Sequence, residues 1–146
     1  MTRCLLALVL LFACRPTPNN PSPLPSAEAI VQRQVDAYNA KDLDAFLSFY
    51  AEDVVMFYKD SSGNNRVDLK GKAKTREIYG SLFAKNPALH CEIRERRVGE
   101  HIVIDTEHIT GLSGGGTLDA VVKYKVEEGL IQYVWVLEAN FQKAPK

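Results

Sequence analysis

The stretch FYAEDVVMFYKD, residues 49–60, changes its period halfway through. Just upstream, Leu43, Phe46, Leu47 and Tyr50 follow the three-and-four spacing of one helix face, behind Asp42 as a candidate N-cap. From Val54 onward the period is two. Val54, Met56 and Tyr58 fall on one side of an extended chain, Val55 and Phe57 on the other. Glu52 and Asp53 form an acidic corner between the two regimes. The stretch predicts a short helix, a corner and a strand.

Upstream, Ser26 is placed to cap a helix reaching about Asn39. Ala27, Ile30, Val31, Gln34, Val35 and Tyr38 lie on or beside one of its stripes. Gln34 is the polar member, either a stripe edge or a pocket group. Downstream, DSSGNN is turn-rich and leads into a short extended RVDL. Gly71 then opens a third helix, about Lys72 to Ala84, whose apolar face is Thr75, Ile78, Tyr79, Leu82 and Phe83. Asn86-Pro87 ends it, because a residue before proline is pushed out of helical space. The remainder reads as four long strands, about 89–98, 101–111, 117–127 and 130–141, broken at GE, SGGG and EEG. No internal repeat is present. This order of elements predicts an α+β domain with three helices packed on one face of a curved, mainly antiparallel sheet.

A chain of 146 residues, 46% of them hydrophobic, suits one such domain. Its formal net charge of zero gives no electrostatic reason to expect nucleic acid. The densest basic cluster interleaves Arg94, Arg96 and Arg97 with Glu92, Glu95 and Glu100, the pattern of a solvated strand face. The N-terminal MTRCLLALVLLFAC carries Arg3 and then an apolar run, Leu5 to Ala13, too short to span a bilayer. Residues 1–13 read as a signal peptide. LFAC resembles a bacterial lipobox, with Leu11, Ala13 and the lipid acceptor Cys14; a plain secretory signal is the alternative. Residues 14–25 then form a tether, with proline at 16, 18, 21, 23 and 25. The folded domain is expected over 26–142. Cys91 is left as the single cysteine of that domain, so it predicts no intrachain disulfide and a place in the core. The expected address is the bacterial cell envelope, membrane-anchored through Cys14, with a secreted or periplasmic soluble protein as the alternative.

The segments DAYNAKDLDAFLSFYAEDVV, LKGKAKTREIY, VIDTEHITG and AVVKYKVEEGLIQYVWVLE resemble the nuclear-transport-factor-2-like superfamily, in its SnoaL-like and ketosteroid-isomerase-like branch. The resemblance covers about residues 26–141 and implies a cone: helices and the concave side of the sheet enclosing an apolar pocket. It is specific for fold and weak for function, because one fold hosts isomerases, dehydratases, cyclases, hydrolases and binding modules. Register against the isomerase pattern puts Val103, Asp105 and Glu107 toward the cavity, together with Val134, Val136 and Glu138. Tyr133 and Trp135 then lie on the outer face, as candidates for a homodimer interface. The isomerase's general base falls on Tyr58, its first oxyanion donor on Gln34 and its second on Val122. All three depart from that pattern, which argues against steroid isomerisation.

Asp105 and Glu107 are the remaining catalytic candidates. Two carboxylates on one strand face in an apolar cone raise each other's pKa toward that of a useful base. The alternative is that they pair with Lys123, Arg94 or backbone near the mouth. The expected ligand-binding set is Gln34, Tyr38, Met56, Tyr58, Tyr79, Phe83, Val103, Val122, Val134, Val136 and Glu138. His90, His101 and His108 have no ligand spacing, so no metal is expected. SGGG lacks the strand-to-helix context of a phosphate loop, no G-x-S-x-G elbow occurs, and no cofactor is expected. Three readings stay open: a lipid-anchored protein binding a small apolar or amphipathic molecule, a cofactor-independent enzyme using Asp105 or Glu107, and a dimerisation or partner-docking module.

Overall fold

The computed structural model describes residues 24–59 and 62–144. The expected signal peptide, Cys14 and most of the expected tether lie outside the described residues, as does Asp60. The described elements are α1 (Ala27–Ala40), α2 (Leu43–Ser48), β1 (Tyr50–Lys59), β2 (Asn65–Lys70), α3 (Lys72–Lys85), β3 (His90–Val98), β4 (Ile102–Thr110), β5 (Thr117–Glu127) and β6 (Leu130–Gln142). The strands form one sheet in the order β2-β1-β6-β5-β4-β3. β1 runs parallel to β6, and every other pairing is antiparallel. This is the NTF2-like α+β fold.

Local chemistry sets the element ends. The Ser26 hydroxyl accepts from Ala29 N–H at 3.2 Å and the Asp42 carboxylate from Ala45 N–H at 3.0 Å, each satisfying a donor that its helix cannot. Lys41 turns the chain between α1 and α2 with φ 55°, and its N–H bonds back to Ala37 and Tyr38 carbonyls. Asn39 clamps the end of α1 to the start of β3: its Nδ2 donates to the Cys91 carbonyl at 2.9 Å, and Cys91 N–H donates to its Oδ1 at 2.7 Å. Asn86 joins the end of α3 to the β4–β5 turn, donating to Leu82 O and accepting from Ser113 N–H at 2.8 Å. Gly111 is packed so closely on the Ala88 carbonyl, with φ +74°, that a Cβ would have no room.

The helices bury one face against the concave sheet. Val31, Phe46, Val54, Leu89, Val103 and Ile131 are wholly inaccessible, each worth roughly 1.5–3 kcal/mol of apolar burial. Tyr38, Phe46, Tyr79 and Phe83 from the three helices form one aromatic cluster, with centroids 4.6–6.4 Å apart.

Single-residue insertions in β2, β3 and β6 shape the sheet and reset which side chains face inward. On β3, Ile93 pairs with Glu107 and Glu95 with Thr106, so Arg94 is the extra residue. On β6, Val136 pairs with Val122 and Glu138 with Val121, leaving Leu137 extra; Gln132 is extra likewise between Ile131 and Tyr133. On β2, Leu69 pairs with Met56 and Val67 with Phe57, leaving Asp68 extra. Each insertion bends its strand and flips the alternation beyond it.

Candidate ligand cavity with a buried carboxyl

The inner face of the sheet, α1 and α3 line a cavity of about 270 Å³. Its wall is mainly apolar: Val35 from α1, Met56 and Leu69 from β1 and β2, Ile78 and Leu82 from α3, Ile109, Ala120, Val122, Val134 and Val136 from the sheet. Asp68, Ile78 and Ala139 are exposed lining residues and mark the mouth. The polar groups inside are few: Gln34, Tyr38, Tyr50, Tyr79, Cys91, Glu107 and Tyr124.

Glu107 is only 7% exposed. Tyr124 stands opposite Val103 in the β4–β5 ladder, and its hydroxyl reaches along the sheet to donate to Glu107 Oε1 at 2.6 Å. Desolvation is the largest influence on this carboxyl and Asp105 adds to it; hydrogen bonds from Tyr124 and Cys91 and the charge of Arg96 oppose them. The balance pushes the Glu107 pKa up to about 7. Burial, with the nearby carboxyl as a lesser cause, raises Tyr38, Tyr50, Tyr79, Tyr124 and Cys91 as well, so the hydroxyls and the thiol keep their protons. Gln34 is 4% exposed, and its Oε1 has no hydrogen-bond partner.

The structure separates the two carboxylates expected to project side by side into the cavity. Asp105 is 0% exposed and does not reach the cavity. Arg96 grips it with two parallel bonds, Nε to Oδ1 and Nη2 to Oδ2, both 2.7 Å, while Arg96 Nη1 donates to Gln32 Oε1 at 2.7 Å. The partner is therefore Arg96, not Lys123 or Arg94. The bulge at Arg94 is the reason: past it, the even-numbered side chains of β3 turn inward, and Arg96 pairs directly with Asp105. Lys123 lies instead on the outer face over the Trp135 ring at 4.1 Å.

The expected binding residues divide in the same way. Gln34, Tyr38, Met56, Tyr79, Val122, Val134 and Val136 line the cavity. Tyr58 does not: it is 42% exposed, beyond the cavity end of β1. Phe83 is buried behind the wall in the aromatic cluster. Val103 is buried at the base of β4, out of the cavity. Glu138 is exposed because the bulge at Leu137 shifts the inward position to Ala139. Tyr124, Cys91 and Asp68 are site residues that the strand patterns did not single out. Tyr124 was within reach, since it shares a face with Val122 two residues away. His108 pairs with Asp119 at 2.6 Å outside the cavity. Among the described residues no group of His, Cys, Asp and Glu is arranged to hold a metal, and no helix is long and apolar enough to cross a membrane.

On the convex side, Phe57, Tyr133 and Trp135 stack in a row, Phe57 on Trp135 at 5.5 Å and Tyr133 on Trp135 at 5.6 Å.

Chemically, the cavity offers an apolar volume, one carboxyl that changes charge near neutral pH, protonated hydroxyls and an orphan amide oxygen. Such a carboxyl can take up or deliver a proton, or donate a hydrogen bond while neutral. The second oxyanion position holds Val122, which has no donor to give.

Known proteins place this architecture. An uncharacterised cystatin-fold protein from Novosphingobium aromaticivorans is similar at 26% identity, with 78% of this chain and 99% of that one covered and a TM-score of 0.67. A putative ketosteroid isomerase from Kribbella flavida superposes at 17% identity over 82% and 80% of the two chains, TM-score 0.64. A computationally designed 17-OHP binder superposes at 20% identity over 81% and 100%, TM-score 0.63. No curated protein matches the sequence. The model of the SnoaL-like domain matches residues 31–134. With that match spanning α1 to β6, the chain belongs to the SnoaL-like domain family.

Proposed function

We propose that this protein binds a small apolar or amphipathic molecule in the cavity, as a lipid-anchored protein of the bacterial cell envelope. The observation that carries the binding reading is an enclosed, mainly apolar volume of about 270 Å³ with a few converging polar groups, the usual makeup of a small-molecule site. For scale, an apolar cavity of about 150 Å³ already accepts benzene. One neighbour of this fold is described as a 17-OHP binder, so the scaffold tolerates such an occupant. The anchor rests on the lipobox-like LFAC ending at Cys14 and the proline-rich tether after it.

A second reading has its own support. A carboxyl with a pKa of about 7, inside a desolvated cavity, suits a general acid or base for cofactor-independent isomerisation, cyclisation or dehydration. In that case Glu107 works without Asp105, which Arg96 already holds. The outer aromatic row of Phe57, Tyr133 and Trp135 supports pairing of two copies through the convex face.

Native mass spectrometry of the protein purified from its own host examines these readings together. The expected spectrum contains a dimer, acyl chains on a mature N-terminal Cys14, and a non-covalent adduct that disappears in Ala120→Phe, where a ring fills the cavity. A folded wild type with no adduct, and no uptake of added apolar probes, would contradict the binding reading. An unacylated N-terminus would contradict the anchor, and a monomer the pairing. The second reading predicts that Glu107→Gln keeps the adduct but no longer converts it.

A further inference from the structure

We infer that the buried end of the ligand is an uncharged hydroxyl group, an alcohol rather than a ketone, ether or acid. The inference rests on the binding reading above and narrows it to a chemical class.

Three observations support it. The first is Gln34. It projects from α1 into the cavity, is 4% exposed, and its Oε1 is a buried acceptor with no donor. Folded proteins leave few such atoms unpaired, because the group has given up its water and gained nothing in return. A ligand N–H or O–H supplies what is missing. A ketone or an ether has no hydrogen to give and leaves the atom unpaired.

The second is a pair of tyrosines in the same cavity. Tyr38 and Tyr79 both line the cavity and both stay protonated through burial. Each can donate to an oxygen. A hydroxyl does both with a single atom: its hydrogen goes to Gln34 Oε1 and its lone pairs accept from a tyrosine.

The third is charge. The lining contains the carboxyls of Glu107 and Asp68 and no lysine, arginine or histidine. Arg96, the cation whose charge acts on Glu107, is committed to Asp105 and Gln32. A carboxylate, sulfonate or phosphate on the ligand would be desolvated beside acids with no counter-charge.

The test uses bicyclic probes of one shape: tetralin, 2-tetralol, 2-tetralone and tetralin-2-carboxylate. Their binding is followed by isothermal titration calorimetry at pH 8. 2-Tetralol is expected to bind about tenfold more tightly than tetralin or 2-tetralone, the worth of one well-made hydrogen bond in a buried site. The carboxylate is expected not to bind. In Gln34→Leu the advantage of the alcohol should vanish while tetralin binds as well as before or better. Four results would overturn the inference: a ketone as tight as the alcohol, an alcohol preference that survives Gln34→Leu, tight binding of the carboxylate, or no binding by any probe. The last also removes the binding reading for molecules of this size. In the first three some probe still binds, which leaves that reading standing. Should Gln34→Leu fail to fold, the wild-type comparison of alcohol with ketone decides alone.

Discussion

Glu107→Gln is expected to stabilise the protein above neutral pH and to change little in acid. The folded pKa of about 7 lies above the ordinary 4.5. Between these values the folded chain holds a proton that the unfolded chain has lost, so wild-type stability falls as pH rises through this window. Below about 4.5 the carboxyl is neutral in both states and costs nothing extra. Above about 7 the penalty for ionising it in the cavity is complete, on the order of 3 kcal/mol. Glutamine is the neutral isostere and can still accept from the Tyr124 hydroxyl. Urea unfolding of both proteins from pH 4 to pH 8.5 should therefore give curves that coincide in acid and diverge through the window, with the variant on top. Parallel curves, or a less stable variant at pH 8, would show that Glu107 ionises freely.

Arg96→Met should cost more, about 3–5 kcal/mol, because it strands a charge. Asp105 is fully buried and takes two of the guanidinium donors; the arginine side chain itself is 13% exposed. Without it, Asp105 must either stay ionised and unpaired or take up a proton, and Gln32 loses a donor as well. The double variant Arg96→Met, Asp105→Leu should recover most of the loss, since two apolar side chains can fill the space that the pair occupied. Arg97→Ala, which breaks only the exposed pair with Glu95, should have no measurable effect. Thermal melts of the four proteins settle the comparison. A single variant as stable as wild type would mean that Asp105 has another partner.

These two residues also mark where the sequence was legible and where it was not. The elements were legible: the caps at Ser26 and Asp42, the period change at Val54 and the proline stop after α3 are local signals, and the structure follows them to within a few residues. So was the inward face of β4, whose alternation runs unbroken from Val103 to Ile109. Opaque to the sequence were the bulges. Period-two counting assumes that no residue is inserted, and nothing in RER or WVL announces that Arg94 and Leu137 are extra. The first insertion hands Asp105 to Arg96 and takes it out of the site. The second turns Glu138 to solvent and brings Ala139 in. Tyr124 is a different case: alternation puts it on the Val122 face, but the reach of its side chain along the sheet to Glu107 is not something strand alternation describes.

The isomerase-like corner FYAEDVVMFYKD thus leads into a cavity whose acid lies on a different strand. Tyr58 points to solvent, and Glu107 on β4 is the carboxyl that remains inside. The account stands or falls on whether a small neutral molecule enters over that carboxyl. Methyl NMR of the protein titrated with 2-tetralol tests this most directly. The account predicts saturable shifts of the Met56, Leu69, Val122 and Val134 methyls, which line the cavity, while the outer Val121 stays still. Silent cavity methyls at saturating probe, or shifts confined to the outer face, would contradict it.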